Sequence, residues 1–305
     1  MKNRILLQVK ITVCWVLFLA IFWTGCTKKS FEDRNIDPTR LTSLSPSDVK
    51  SLFPSAEYAG MNTGPGSVDY QQAQNLFADM FCQYFAGTQT AFSSLRYVIQ
   101  QSWVTYQWRS TYLYAMPALV NIIKETKTPE TITLNAIARI WKVFVLHRTT
   151  DYFGPIPYSN IGVASTSIPY DSQQSIYMDF FKELNEAAND LKNNLNVPSY
   201  GVQDVIFNGD NAKWLKFANT LRLRLALRIS DVEPAMAQQE ADSALANGIM
   251  TDFSDDAYLA VSAPNDYNGL SRIASWNEFR MSANMQSLLV GYNDPRLSKF
   301  FQPAV

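Results

Sequence analysis

The stretch from Asp210 to Ser230, DNAKWLKFANTLRLRLALRIS, constrains the fold more than any other part of the chain. Asn208 and Gly209 make a turn, and Asp210 is placed to accept hydrogen bonds from the free N–H groups of a first helical turn. The spacing predicts a helix from Asn211 or Ala212. Trp214, Phe217, Ala218, Leu221 and Leu225 recur at intervals of three and four on one face, while Leu215, Leu223 and Leu227 widen the apolar surface. A nearly buried helix is expected. Arg222, Arg224 and Arg228 must then run their stems along apolar neighbours and place their guanidinium groups on carboxylates or at the edge of the core.

The amino terminus sets the compartment. Lys2, Arg4 and Lys10 form a positive leader, and Ile11 to Phe22 is an apolar run of 12 residues. As a helix that run measures roughly 18 Å against the roughly 30 Å of a bilayer core, so it reads as a signal peptide and not as a span. Trp23-Thr24-Gly25-Cys26 follows, with small residues directly before a cysteine. This resembles a lipobox, in which the cysteine becomes the lipidated first residue, although Trp23 stands where an aliphatic side chain is usual. The segmentation expected is a signal peptide over 1–25, a lipidated tether over 26–49 and an α-helical domain over 50–305. With Cys14 removed and Cys26 lipidated, Cys82 is left alone, and its neighbours Phe81 and Gln83 suggest a small packed residue.

The remaining chain is long enough for a large core, at 47% hydrophobic and 13% aromatic residues. The formal charge of -1 becomes about -4 once the leader is lost. No basic surface is implied, and nucleic acid is not expected as a partner. Helical periodicity predicts helices over about 68–85, 103–123, 131–150 and 172–191, with Pro117 kinking or shortening the second. Gly154, Pro155 and Pro157 argue against helix from Asp151 to Tyr158, and Val205 to Phe207 is a candidate short strand. Pro234 suits a first helical turn, with Gly248 as the C-terminal stop. Asp252 to Ser275 reads as loop and Trp276 to Val290 as helix. Helix dominates and no strict repeat is visible, which predicts a mostly α fold with helices paired by short connections, an arrangement in which consecutive pairs can still stack like tetratricopeptide units.

Ordinary catalytic signatures are missing from the sequence. There is one histidine, His147, with no second ligand at metal spacing, and there is no nucleophile elbow, phosphate loop or dinucleotide fingerprint. No metal site or cofactor is expected. Paired carboxylates can hydrolyse glycosides without a motif, and Asp255-Asp256 and Glu32-Asp33 qualify by residue type alone. Aromatic residues on non-helical ground are more informative, because exposed rings stack on sugar C–H surfaces while their polar edges hydrogen-bond. Tyr97, Trp103, Tyr267 and Trp276 are the candidate ligand contacts, with Phe92 beside them.

Four stretches then carry a family resemblance: Tyr152-Phe153-Gly154-Pro155-Ile156-Pro157-Tyr158-Ser159; Tyr170-Asp171-Ser172-Gln173-Gln174-Ser175-Ile176-Tyr177, which runs into Phe181-Lys182-Glu183-Leu184-Asn185-Glu186-Ala187; Gly209-Asp210 with Lys213-Trp214-Leu215-Lys216-Phe217-Ala218-Asn219-Thr220-Leu221-Arg222-Leu223-Arg224; and Asp294-Pro295-Arg296-Leu297. In this order, after a lipobox, they resemble the SusD/RagB family of nutrient-binding outer-membrane lipoproteins of Bacteroidetes. The resemblance implies a mostly α fold of tetratricopeptide-like helix pairs with an irregular, loop-rich ligand-binding portion, in a surface-exposed, lipid-anchored binding protein with no covalent chemistry. It implies oligosaccharide or peptide as ligand and a SusC-like TonB-dependent β-barrel transporter as partner. Members are usually longer, so it also implies that Val305 ends a fragment. Two other readings stay open, a membrane-tethered glycoside hydrolase and a helical-repeat scaffold that binds only protein. For the anchor, labelled palmitate is expected in the expressed full-length precursor, and Cys26→Ser should abolish both the label and the partition into membranes.

Overall fold

The computed structural model describes residues 46–61, 70–261 and 268–302. The predicted signal peptide, Cys26 and Tyr267 lie outside the described residues. The first described helix, α1, is Pro46–Gly60 and so begins inside the stretch expected as tether. A second helix, α2, is Gln71–Asp79 with π-type winding, followed by a short strand β1, Phe85–Gly87. Helix α3 runs through three consecutive segments, Gln101–Arg109, a π-wound Ser110–Ala115, and Met116–Glu125. Pro117 does not end it. The wider winding just before the proline accommodates a residue that lacks an N–H donor.

Helices α4 (Ile132–Phe153), α5 (Gln173–Asn193), α6 (Asn211–Arg228) and α7 (Pro234–Ala246) complete the helical array. Each packs on the next in sequence, and α1 packs on α3. This is the tetratricopeptide-like stacking expected from the sequence. Two more helices, α8 (Gly269–Ala274) and α9 (Ala283–Gly291), enclose the strand β2, Phe279–Met281, and a single turn of helix, α10, is Leu297–Phe300.

Local chemistry explains most of these boundaries. Asp210 accepts from the N–H groups of Ala212 and Lys213 at 2.9 and 3.1 Å, and Ser172 caps α5 by accepting from Ser175. Gly154, at φ +72°, ends α4, a conformation for which glycine is suited. The residues before it, Asp151 to Phe153, nevertheless continue α4, because neither proline enters the hydrogen-bond ladder of that last turn. Val205 to Phe207 is a turn and not a strand, for its N–H groups are taken by carboxylates. The predicted helix from Trp276 to Val290 is broken by a turn and by β2.

The core centres on two tryptophans. Trp141 and Trp214 meet edge to face at 5.9 Å, and Phe207 and Phe217 pack edge-on against Trp214 at 5.1 and 5.5 Å. The Trp141 indole N–H donates to the carbonyl of Ala56, and the absence of a side chain at Gly60 leaves room for its ring. The helix with the most complete burial is α4, not α6. One side of α6 faces solvent, where Leu227 is 65% exposed and Arg224 is exposed. Arg222 is buried and joins three helices, pairing with Glu240 of α7 and donating to Asn185 of α5. Arg228 pairs with Asp151 at 3.1 Å. His147 is buried, and burial pushes its imidazole down to about 4, so it is neutral at pH 7.

A buried acid pair joins α1 to the connector before α6. Glu57 is 0% exposed and Asp204 2%. Asp204 accepts from Ile206 N, Phe207 N, Gly209 N and the Trp214 indole N–H. Glu57 Oε2 accepts from Val205 N, while Oε1 receives no donor among the described residues. Desolvation first, then the charge of Asp204, push the Glu57 carboxyl up to about 10, so it carries a proton with which it bonds to Asp204. The folded state thus holds this proton more tightly than the unfolded chain, whose Glu titrates near 4.5. Stability from this group is complete below about pH 4.5 and falls as pH rises toward 10, by up to about 1.4 kcal/mol per unit. Glu57→Gln keeps the acceptor and supplies a permanent donor. Denaturant unfolding between pH 5 and 8 should show the variant gaining on the parent by about 1 kcal/mol per pH unit.

Candidate ligand-binding cleft

Strands β1 and β2 pair antiparallel, with Phe85 opposite Met281, Ala86 opposite Arg280 and Gly87 opposite Phe279. They bring the end of α2 against the start of α9. Ser282 caps α9 by accepting from Met285 N at 3.0 Å, and its hydroxyl donates to the carbonyl of Gln83. A 3-10 turn, Ser93–Arg96, closes the third side, and Ser94 donates from its hydroxyl to the carbonyl of Leu76. Gly87 fits closely here, since a Cβ would approach Leu95 Cδ2 to 2.7 Å.

These pieces surround a cavity of about 280 Å³ lined by Met80, Gln83, Phe85, Ala86, Ser94, Leu95, Tyr97, Ser282, Ala283 and Asn284. The mixture is an apolar floor with a few hydroxyl and amide groups at its edge, as small-molecule sites require. Tyr97 stands at the mouth, 52% exposed. Its ring meets the Phe81 ring edge to face at 5.6 Å, and its hydroxyl takes a hydrogen bond from the Gln83 amide. Among the described residues the lining contains no carboxyl group.

Of the aromatic candidates read from sequence, the structure puts Tyr97 in the cleft. Trp103 lies in the first turn of α3, half-buried, edge-on to Phe92 at 6.0 Å. Trp276 is half-buried in the turn between α8 and β2, with its N–H on the carbonyl of Ile273. Neither lines the cavity. Gln83, Ser94, Ser282 and Asn284 are the polar lining that sequence reasoning missed, because no periodic pattern or motif marks them. Cys82, expected to be packed, is exposed on the turn that follows α2. Asp255, a candidate acid, instead pairs with Lys216 at 2.7 Å and accepts from Thr251 N.

Two adjoining cavities of about 330 and 460 Å³ share Met178, Phe181 and Met236 between α5 and α7. Their one tyrosine, Tyr177, is buried and donates to Asp151 at 2.6 Å. Among the described residues that groove therefore offers methionine and paired charge but no exposed ring. No described helix is long and apolar enough to cross a membrane.

The family model for SusD-like proteins, described as SusD and RagB outer membrane lipoprotein, matches residues 42–305, and the chain belongs to this family. Solved structures agree. A chitin-binding SusD homologue from Flavobacterium johnsoniae is 33% identical with a TM-score of 0.76, the match covering 82% of this chain and 53% of that one. A second chitin-binding protein is 33% identical over 82% of this chain and 54% of its own, with a TM-score of 0.73. A SusD homologue from Bacteroides vulgatus is 31% identical over 82% and 52%, with a TM-score of 0.74. The chain thus spans about half the length of these structures. No match was found among curated proteins.

The cap at Ser282 holds two walls of the cleft together. Ser282→Ala removes both the cap and the bond to Gln83 and should cost about 1 to 2 kcal/mol in denaturant unfolding. Faster amide exchange is expected at Met285 and across Phe85–Gly87, with α4 to α6 unchanged.

Proposed function

We propose that this protein is a lipid-anchored outer-membrane binding protein that captures an oligosaccharide at the Tyr97 cleft and passes it, unmodified, to a SusC-like TonB-dependent β-barrel transporter. The observation that carries this reading is Tyr97, a half-exposed tyrosine ring held at the edge of an apolar cavity with hydroxyl and amide groups around it. Such a ring offers a face to sugar C–H groups and leaves hydrogen bonds to the neighbouring side chains. Family membership and two chitin-binding relatives at 33% identity support a β-linked N-acetylglucosamine oligomer as the first ligand to try. Lipidation at Cys26 and exposure at the cell surface belong to the same proposal.

A protein-binding role has one observation in its favour, the methionine-lined groove between α5 and α7, since flexible thioether side chains suit helical partners. The two roles are compatible, with sugar at the cleft and protein at the groove.

Titration calorimetry with N-acetylglucosamine oligomers of two to six units should give saturable binding with no change in the oligomer. Tyr97→Ala should weaken it by about tenfold, a loss of about 1.4 kcal/mol. Absence of binding to these and to a wider glycan panel, together with failure to retain a β-barrel transporter in detergent extracts, would set this reading aside.

A further inference from the structure

The cleft contains an unusual backbone feature. Five described residues other than glycine adopt positive φ: Gln83 at 59°, Tyr97 at 55°, Asn208, Asn277 and Asn293. Three are asparagine, the residue type that enters the left-handed region most readily. The other two, Gln83 and Tyr97, are far apart in sequence terms for a turn, yet both line the cleft and their side chains meet. Strained residues persist only where their surroundings hold them.

Both are held. The Gln83 N–H donates to the carbonyl of Met80 at 3.0 Å, and its carbonyl receives the Ser282 hydroxyl. The Tyr97 N–H donates to the carbonyl of Ser94 at 3.0 Å, closing the 3-10 turn. The Phe81 ring then braces one edge of the Tyr97 ring, and the Gln83 amide holds its hydroxyl end. A tyrosine ring has two torsions to fix, and these two contacts fix both.

We propose that Gln83 is the positioning residue of this cleft: its left-handed backbone aims the side-chain amide at the Tyr97 hydroxyl and so holds the ring as a preformed stacking face for a sugar unit. The proposal rests on the glycan-binding reading above and adds a residue, a contact and a reason for the strain. A ring locked before binding loses little conformational freedom when the sugar arrives, so affinity depends on Gln83 without requiring it to touch the ligand.

The test uses the full mature chain with the N-acetylglucosamine hexamer and four variants. Gln83→Asn tolerates the left-handed backbone but is one methylene too short to reach Tyr97. It should weaken binding about fivefold with an unchanged melting temperature. Gln83→Glu restores the contact, the Tyr97 hydroxyl now donating to the carboxylate, and should bind within about twofold of the parent. Tyr97→Phe removes the same contact from the other side. Combined with Gln83→Asn, it should weaken binding no further than either change alone, the signature of one shared interaction.

A fluorine label on the ring of residue 97 gives a readout that needs no ligand. Its resonance should shift and sharpen toward that of a free ring in Gln83→Asn, and return in Gln83→Glu. Binding by Gln83→Asn equal to the parent, additive losses in the double variant, or a resonance indifferent to residue 83 would each overturn the proposal. If the parent binds no glycan, the ligand reading fails by itself, and the resonance still decides whether Gln83 positions the ring.

Discussion

The Asp204 carboxylate is the interaction on which the remainder of the structure depends. Four N–H donors converge on it, three from the backbone of its own turn and one from the indole of Trp214. A buried carboxylate without such donors would carry a large desolvation penalty. With them, it folds the connector into a tight turn that delivers Asp210 to cap α6. Because Trp214 also packs on Trp141, Phe53 and Phe207, the same carboxylate fixes the ring around which α1, α4 and α6 assemble. The protonated Glu57 completes the arrangement from α1 without adding a second buried charge.

From this centre the order extends outward to the cleft through α2 and α4. Tyr152 near the end of α4 donates to the carbonyl of Ala73, and Arg148 donates to Gln74 and toward the carbonyl of Gly60. Aromatic contacts continue the same path, from Tyr152 to Phe77 at 4.9 Å, Phe77 to Phe81 at 5.2 Å and Phe81 to Tyr97 at 5.6 Å. Rings along this line run from the half-buried end of α4 to the mouth of the cleft. The exposed ring is therefore the outer member of a packed series that starts at Tyr152 near the end of α4.

How much of this was legible follows from the range of each interaction. Helices α5 and α6 were readable because their caps, Ser172 and Asp210, and their apolar spacing are local. Leu227 misled because apolar character does not reveal which side of a helix meets a neighbour, and solvent was left beside it. The strands β1 and β2 have three residues each, too few for alternation to show, and they pair across some two hundred residues of chain. Tyr84 is exposed because the helix expected to run to about residue 85 gives way to a turn after residue 81, while Ala73, Leu76 and Met80, on the same apolar spacing, are buried. Tyr97 could be selected as a ring on irregular ground, but Gln83 could not. The role proposed for it arises from a backbone conformation that glutamine rarely takes and that is held in part by the Ser282 hydroxyl, some two hundred residues away in sequence.

The placement of strain separates the two parts of the molecule. In the helical array, left-handed positions fall to Gly154, Gly209 and Gly248 and to Asn208, residues that adopt them at little cost. At Gly209 no other residue fits, because a Cβ would come within 2.5 Å of the Gly201 backbone. At the cleft the left-handed positions are instead occupied by Gln83 and Tyr97, each costing roughly 1 kcal/mol or more relative to a relaxed backbone. Glycine would remove that cost and would also remove the ring and the amide. On the role proposed for the cleft, the ring and the amide are what this strained geometry serves. The helical array, stabilised by its buried rings and its carboxylate turn, supplies the margin that lets the cleft keep them.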